Sequence, residues 1–198
     1  MKPSHSYYGS RPALYRSDGR LNPGARGFIA SQFRAEMRVI DIGCGSGATL
    51  LENGHRFASA LGGAEGWSSP GRKIQPIDQD GIKVGILICA DAYQNEVAGC
   101  LKERGAQVLV SPSAWGPGEC GPDGEWERRS GDTGLPIMVC NRTGVEPDEL
   151  DYRRAESVVA KDGQRLLAAY SDRPVILSFD WDMDEMALLS QDFQRTYL

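Results

Sequence analysis

The sequence predicts an α/β protein whose layered domain follows a junction rich in glycine and proline. Apolar strand-like runs alternate with helix-like segments from residue 83 onward, which is the pattern of α/β layers. The 198 residues are 40% hydrophobic and 25% charged, as expected of one good core or two small domains. Residues 62–80 are dense in glycine and proline, so we expect an N-terminal segment over 1–61 and a second domain over 62–198.

The N-terminal segment shows little periodicity. Residues 1–26 carry prolines and glycines and predict irregular structure, and residues 27–37 predict a short helix. Residues 37–42 form an apolar strand-like run that leads into a glycine-rich loop, and residues 48–61 predict a helix after it. The strand, loop and helix over 37–61 are therefore the ordered part expected of this segment.

The second domain alternates between strands and helices. Strands are predicted where apolar, often β-branched residues follow one another, and helices where apolar residues recur every three or four positions. Gly105 is placed to end the first helix, and Asp162-Gly163 is a typical hairpin turn. The predicted order is a strand over 83–89, a helix over 95–104, a strand over 107–111, a helix over 125–132, a strand over 136–141, a hairpin of 157–160 and 164–169, and a final strand over 175–180.

Composition and charge argue against several functions. The net charge of −5 disfavours a nucleic acid as partner, because contact with its phosphate backbone needs a basic face. No run of 18 apolar residues exists, and residues 1–20 lack an apolar signal core. We therefore expect no membrane partner, no secretory signal and a cytoplasmic location.

A metal site is not expected either. The five cysteines include no CxxC pair, and the chain has two histidines, which disfavours zinc-ribbon and histidine-rich sites. The acids of residues 180–185 lack the glycine and the twelfth-position glutamate of an EF-hand loop. These acids predict a solvated strand end.

Cys89 is the strongest candidate for chemistry. It ends the apolar run in residues 81–91, GIKVGILICAD, and functional groups collect at the carboxyl ends of buried strands. At a sharp turn there, a thiol can meet backbone N–H groups that stabilise a thiolate and an oxyanion. The alternative is a small buried thiol that serves packing.

Several segments resemble the nitrilase superfamily of carbon–nitrogen hydrolases, in the same order and spacing. The GxKVG strand followed by ICxD resembles that family's nucleophile elbow, and a Pro-Gly element at Pro70 precedes it. The resemblance extends downstream to three further segments. VLVSPSAW (108–115) resembles the family's next strand and its substrate-facing loop, WERRSGDTGLPIMVCNRTG (126–144) the following helix and strand, and SVVAKDGQRLLAA (157–169) a hairpin. It covers residues 70–182, the C-terminal half of such an enzyme.

This resemblance implies a partial four-layer α-β-β-α sandwich and a hydrolytic activity. The implied reaction is hydrolysis of a small amide, carbamoyl compound or nitrile through a thioester on Cys89, with no metal or organic cofactor. Trp115 falls in the substrate-facing loop, and a core or dimer-face aromatic is the alternative. Asn141 and Arg142 are expected to be structural, by orienting the elbow or pairing with acids such as Asp132.

The resemblance does not extend to all of the catalytic groups. The family is known for a Glu–Lys–Cys triad, in which the glutamate is the general base and the lysine stabilises charge. Glu65, just before Pro70, resembles a supporting glutamate of some relatives, and an exposed loop acid is the alternative. No lysine of the chain matches the family motif. Because loss of these partners costs orders of magnitude in rate, a non-catalytic scaffold or remnant is the second hypothesis.

A different resemblance lies upstream. Residues 37–51, MRVIDIGCGSGATLL, resemble the first motif of class I methyltransferases that use S-adenosylmethionine. About 30 residues around one motif do not enclose such a cofactor. A methyltransferase fragment is therefore the third hypothesis.

An incomplete sandwich also predicts self-association. Half of such a fold leaves apolar strand surface uncovered, and proteins cover such surface. We expect a homo-oligomer formed through that face, or else poor solubility, with a small-molecule amide or nitrile as the other partner.

Overall fold

The computed structural model describes three ranges of the chain, residues 73–118, 121–145 and 151–197. All of them belong to one compact unit, Arg56–Leu198. The N-terminal segment 1–61 with its glycine-rich motif, the predicted boundary near residue 62, and Glu65 lie outside the described residues. The expectations attached to them stay predictions.

Six strands form the main sheet of the described residues. They are β1 (Ile77–Gln79), β2 (Ile82–Ile86), β3 (Val108–Ser113), β4 (Ile137–Asn141), β5 (Ser157–Lys161) and β6 (Gln164–Ala169). They lie in the sheet in the order in which they occur along the chain. β2, β3 and β4 run parallel, and β1, β5 and β6 pair antiparallel with their neighbours. The sheet is therefore mixed, and the α/β expectation is confirmed.

Two helices connect the parallel strands, as parallel pairing requires. α1 (Asn95–Glu103) joins β2 to β3, and α2 (Glu125–Thr133) joins β3 to β4. Each helix ends at a glycine in the left-handed conformation, Gly105 with φ 86° and Gly134 with φ 68°, where any other residue would be strained. Within the described ranges, no helix combines the length and the apolar character needed to cross a membrane.

The predicted strands and helices of this region are confirmed, with changes at their ends. The strand expected over 83–89 ends at Ile86, so Cys89 lies beyond the ladder. The hairpin of β5 and β6 turns at Asp162 and Gly163, with φ 52° and 78°. These left-handed values are those of the tight turn that an Asp-Gly pair favours.

Two expectations about the ends of the domain are wrong. β1 lies in the stretch assigned to a junction, and it turns into β2 through Asp80 and Gly81, with φ 51° and 85°. The strand expected over 175–180 is not the last one. Four short strands follow β6, namely β7 (Val175–Ser178), β8 (Trp181–Asp182), β9 (Ala187–Leu188) and β10 (Gln194–Tyr197). β7 pairs with β10 and β8 with β9, both antiparallel and apart from the main sheet.

The main core lies between the helices and one face of the sheet. Leu109 of β3 and Ile137 of β4 pack there in one cluster with Trp126 of α2, and each is fully buried. The other face of β3 is covered as well, because Val108 and Val110 are 2% and 3% exposed. The expectation of an uncovered apolar strand surface is therefore wrong at β3.

Pro112 lies near the end of this buried central strand, and the end of β2 explains why it is tolerated. β2 pairs with β3 only as far as Val110, whose carbonyl accepts the Leu87 N–H at 2.9 Å. Pro112 is two residues further along β3, so its backbone nitrogen points to the same side as the Val110 carbonyl, toward β2. It lies beyond the last residue of β3 that pairs with β2. The missing N–H of proline therefore removes no hydrogen bond from the ladder.

Candidate active site

Cys89 lies where the chain leaves the carboxyl end of β2. It is half-buried, packs against the core cluster, and has a φ of 46°. A left-handed conformation costs a residue with a Cβ about 1–3 kcal/mol. Such a conformation is typical of a nucleophile on a sharp turn from a strand into a helix. The backbone at Cys89 therefore has the geometry that the strand-end position predicted.

A short helical turn, Cys89–Tyr93, follows and is held by bonds on both sides of the cysteine. Oδ2 of Asp91 accepts the Ile88 N–H at 3.1 Å, and the Asp91 N–H donates to the Ile88 carbonyl at 2.9 Å. The Gln94 N–H donates to the Asp91 carbonyl at 3.0 Å. Asp91 is 1% exposed, so its carboxylate is shielded from water, and the three bonds together define the conformation of the turn.

Asn141, at the end of β4, holds the loop that follows β3. Its Oδ1 accepts the N–H groups of Trp115 and Arg142, both at 2.9 Å. Its Nδ2 donates to the carbonyls of Trp115 at 2.9 Å and Glu156 at 3.1 Å. The buried amide therefore uses both of its donors and both acceptor positions. Asn141 therefore has a structural role, but this role consists in fixing Trp115 and not in pairing with an acid such as Asp132.

Trp115 belongs to a group of three aromatic rings beside the turn. Its ring centroid lies 4.7 Å from that of Tyr93 and 5.4 Å from that of Trp126, the latter in an edge-on arrangement. Trp115 is 7% exposed and Trp126 is fully buried, whereas Tyr93 is 46% exposed. Trp115 therefore packs in the core, and Tyr93 is the ring of this group that solvent reaches.

Arg129 of α2 contacts the same turn from the interior. Its Nη1 lies 3.3 Å from the carbonyl oxygen of Ala92 and 3.5 Å from that of Tyr93, and its Nη2 lies 2.8 Å from Oδ2 of Asp132. Arg129 is 6% exposed. Asp132, suggested by the sequence as a partner for Arg142, is therefore the partner of Arg129.

The lysines of two described strands lie at the opposite edge of the sheet from Cys89. Lys83 is exposed at the start of β2. Lys161 is the last residue of β5, and its neighbour Ala160 pairs with the first residue of β4. Nζ of Lys161 donates to the Glu185 carbonyl at 3.2 Å. Neither position matches a lysine that acts on the thiol. Of the predicted site residues, Cys89 and Trp115 are described and Glu65 is not.

The acids of residues 180–185 form a local turn. Oδ1 of Asp182 accepts the N–H groups of Asp184 and Glu185, each at 2.9 Å, while Asp184 and Glu185 are exposed. In the part of the chain that the structure describes, no three His, Cys, Asp or Glu side chains are grouped so as to hold a metal ion. The acids are thus placed as a solvated strand end.

Sequence reasoning did not identify Tyr93 or Arg129 as parts of this site, whereas Asp91 is the acid of the ICxD string that carries the resemblance. Of the two, only Arg129 carries a signal in the sequence. It lies three residues after Trp126 and four before Thr133, both buried on the inward face of α2. A charge at such a position departs from the amphipathic pattern of a helix.

Comparisons with known proteins agree on one family. The family model for "Carbon-nitrogen hydrolase" matches residues 49–190. An N-carbamoylputrescine amidase from Solanum tuberosum is 30% identical over 119 residues, which cover 52% of this chain and 40% of the relative. An (R)-stereoselective amidase from Pseudomonas sp. is 27% identical over 132 residues, which cover 63% of this chain and 46% of the relative.

A solved structure has the same fold. The crystal structure of a carbon-nitrogen hydrolase from Helicobacter pylori G27 superposes with a TM-score of 0.51 and 25% identity, over 59% of this chain and 47% of that one. This chain therefore spans less than half the length of each of these three proteins.

Proposed function

Because this chain belongs to the carbon–nitrogen hydrolase family, we propose that it hydrolyses a small amide, carbamoyl compound or nitrile through a thioester on Cys89. Two of its relatives are named as amidases, which supports an amide or a carbamoyl compound as the substrate class. The observation that carries the proposal is the left-handed backbone of Cys89, φ 46°, directly beyond β2 and within the residues matched by the family.

The proposed reaction has two halves. In the first, Sγ of Cys89 attacks the amide carbon, a C–S bond forms, and the carbonyl oxygen becomes an oxyanion. Backbone N–H groups at the start of the turn stabilise this oxyanion in the proposal. The C–N bond then breaks, and ammonia or an amine leaves with the proton that the thiol has given up. In the second half, water attacks the thioester, the C–S bond breaks, and the carboxylic acid and the thiol are released.

Glu65 is the residue proposed to assist proton transfer. It precedes the Pro70-Gly71 element that leads into β2, as a supporting glutamate does in the resemblance. We expect Glu65→Gln to lower kcat by about 10²-fold or more, the usual loss on removing a general acid or base. Glu52→Gln, the same change at an upstream glutamate, is the matched control and should leave kcat unchanged.

Tyr93 and Trp115 are proposed to form one wall of the substrate site. Their rings are 4.7 Å apart, and Tyr93, four residues after Cys89, is 46% exposed. An exposed aromatic ring backed by a buried one offers a firm apolar surface to the carbon chain of a substrate. We expect Tyr93→Ala to raise KM more than it lowers kcat. The substitution removes a contact that binds the substrate equally well in the ground state and in the transition state.

The decisive experiment is ammonia release from linear aliphatic amides by the full chain, with Cys89→Ala as the control. Hydrolysis by the parent protein that is absent from Cys89→Ala, with an acyl adduct on Cys89 in intact mass spectra, is the expected result. Equal hydrolysis by Cys89→Ala overturns the assignment of the nucleophile. If no amide is hydrolysed and the thiol reacts with iodoacetamide no faster than an ordinary cysteine, the non-catalytic scaffold takes first place.

Self-association and a cytoplasmic location stay predictions of the sequence. Support for self-association is weaker than the sequence suggested, because β3 is covered on both faces. Light scattering coupled to size-exclusion chromatography tests it, and a monodisperse monomer counts against it.

A further inference from the structure

The inward face of α2 contacts both loops of the proposed site. Trp126 on this face packs edge-on against Trp115, with 5.4 Å between ring centroids. Arg129, three residues on, reaches the carbonyls of the turn that carries Cys89. One helix face therefore supports the loop after β3 through an aromatic ring and the turn after β2 through a guanidinium.

Arg129 is a costly residue at this position. A buried cation is tolerated only where hydrogen bonds and an opposite charge replace water. Its carboxylate partner Asp132 has a side chain that is 53% exposed, while the side chain of Arg129 is 7% exposed. The interior end of the guanidinium is instead directed to the main-chain oxygens of Ala92 and Tyr93. An exposed arginine could also pair with Asp132, so this ion pair does not explain why Arg129 is buried. The contacts of Arg129 with the turn give a reason for its burial.

The backbone of Arg129 is itself anchored. Its carbonyl accepts the Thr133 hydroxyl at 2.7 Å, and the Ser130 hydroxyl donates to the Leu135 carbonyl at 2.8 Å. The Gly134 N–H donates to the Ser130 carbonyl at 2.7 Å. The last turn of α2 is thus closed by side chains and by backbone, and the guanidinium extends from a fixed base.

A short series of bonds connects this guanidinium to Cys89. The Tyr93 carbonyl and the Gln94 N–H belong to one planar peptide unit. Arg129 contacts the carbonyl end of that unit, and the Asp91 carbonyl accepts its N–H end at 3.0 Å. Asp91 in turn exchanges two hydrogen bonds with Ile88, the residue before Cys89. The orientation of the turn is therefore set at both of its ends.

We propose that Arg129 is a positioning residue for Cys89, which holds the Ala92 and Tyr93 carbonyls and so keeps the turn in the conformation that presents the thiol. The inference rests on the proposed function, in which Cys89 is the nucleophile. It assigns to α2 a role in the reaction that does not require any group of α2 to touch the substrate. Small misplacements of a reacting group lower rates by one to two orders of magnitude.

The test compares Arg129→Gln, Arg129→Lys and Arg128→Gln in the full chain. Arg128 is the matched control, because it is the neighbouring arginine of the same helix and its side chain, 53% exposed, pairs with Glu125 and not with the turn. Two quantities are measured below the unfolding transition of each variant. The first is the rate of Cys89 alkylation by iodoacetamide between about pH 5 and about pH 9, read on the Cys89 peptide. The second is hydrogen exchange of residues 88–94, read by mass spectrometry.

For Arg129→Gln we expect faster exchange over 88–94, alkylation about tenfold slower at neutral pH, and an alkylation profile moved to higher pH. Arg129→Lys, which keeps a donor and the charge, should recover part of the loss and covers the case in which the glutamine variant is too unstable. Arg128→Gln should match the parent protein in both measurements. A role in stability alone would lower the unfolding temperature without moving the alkylation profile of the folded protein.

Alkylation by Arg129→Gln at the parent rate and with the parent profile overturns the inference, whatever the exchange shows. Unchanged exchange over 88–94 overturns it as well. Failure of the proposed function has a different signature, since it is read from the parent protein. A parent thiol of ordinary reactivity that hydrolyses no amide refutes catalysis, while the difference between the parent and Arg129→Gln still decides the role of Arg129.

Discussion

Replacing Asn141 by alanine should destabilise the site region, because its side-chain amide bonds four main-chain groups there. The change takes a side-chain partner from two buried groups, the N–H and carbonyl of Trp115, and from one partly buried group, the carbonyl of Glu156. The Arg142 N–H keeps its other bond, to the Ser113 carbonyl at 2.9 Å. At about 1 kcal/mol for each of the three groups that lose this partner, the free energy of unfolding should fall by roughly 3 kcal/mol.

Urea titration followed by tryptophan fluorescence measures this loss, because Asn141 bonds Trp115 and Trp126 packs against Trp115. The matching fall in Tm is roughly 6–12 °C for a protein of this size. Asn95→Ala is the control, since Asn95 is exposed and such surface changes stay within about 0.5 kcal/mol. Asn141→Asp should be at least as destabilising as Asn141→Ala at neutral pH, because it sets a carboxylate oxygen against two carbonyl oxygens.

The reasoning is refuted if Asn141→Ala costs less than about 1 kcal/mol and Asn141→Asp behaves like the parent protein. That pair of results would mean that the amide is replaced by water, and that the loop carrying Trp115 is not held by β4. An equal loss in the Asn95→Ala control would point to an effect unrelated to the site.

Three further predictions concern packing, backbone strain and pH. Gly85→Ala should lower the free energy of unfolding by about 1–3 kcal/mol, because a Cβ there would lie 2.9 Å from a carbon of a buried leucine. Gly99→Ala, with no atom within 4 Å of its Cβ, should raise the free energy of unfolding by up to about 1 kcal/mol. Urea titrations that rank the two variants in the reverse order would contradict this packing. Cys89→Gly should be about 1 kcal/mol more stable than Cys89→Ala, because φ is 46° at this residue, and equal Tm values in calorimetry would argue against the left-handed backbone. The hydrogen bond from the Arg153 side chain lowers the pKa of Asp151 from 3.8 to about 2. Since this folded-state pKa is depressed, the stabilisation exists above about pH 4 and is lost as the pH falls toward about 2. The Tm difference between the parent protein and Asp151→Asn should therefore shrink over that range. An NMR titration of Asp151 with an ordinary midpoint would refute the depressed pKa.

Local patterns account for the elements that the sequence predicted. β2, β3 and β4 are buried runs of apolar residues, and the Asp162-Gly163 turn carries its own signature. α1 has its buried positions at helical spacing and ends at Gly105. Such features depend on neighbours along the chain, so residue type and period suffice to find them.

The missed elements are short, and their stability comes from partners elsewhere. β1 consists of three residues, Ile77–Gln79, two of them exposed, so no alternation is available to reveal it. β8 and β9 have two residues each. Pairing with a distant segment decides such strands, as in β7 with β10, and single-sequence patterns do not contain that information.

The candidate site divides in the same way. Cys89 was predicted because a strand-end thiol is visible in the sequence, and the resemblance over residues 70–182 to the nitrilase superfamily is confirmed by family membership. Arg129 was not predicted, because its contact with Ala92 joins residues 37 positions apart. The methyltransferase-like motif at 37–51 stays a prediction, and titration with S-adenosylmethionine, with unfolding temperature as the readout, tests it.

The order of strands in the main sheet has a consequence for how the domain is made on the ribosome. From β1 to β6, each strand pairs with the strand that precedes it in translation. A newly synthesised strand can therefore add to an edge that already exists, and no gap in the sheet waits for a segment still to be synthesised. Closing short loops costs less entropy than closing long ones, and local pairing speeds folding. The sheet can thus grow in one direction during synthesis, with the latest strand always serving as the template for the next.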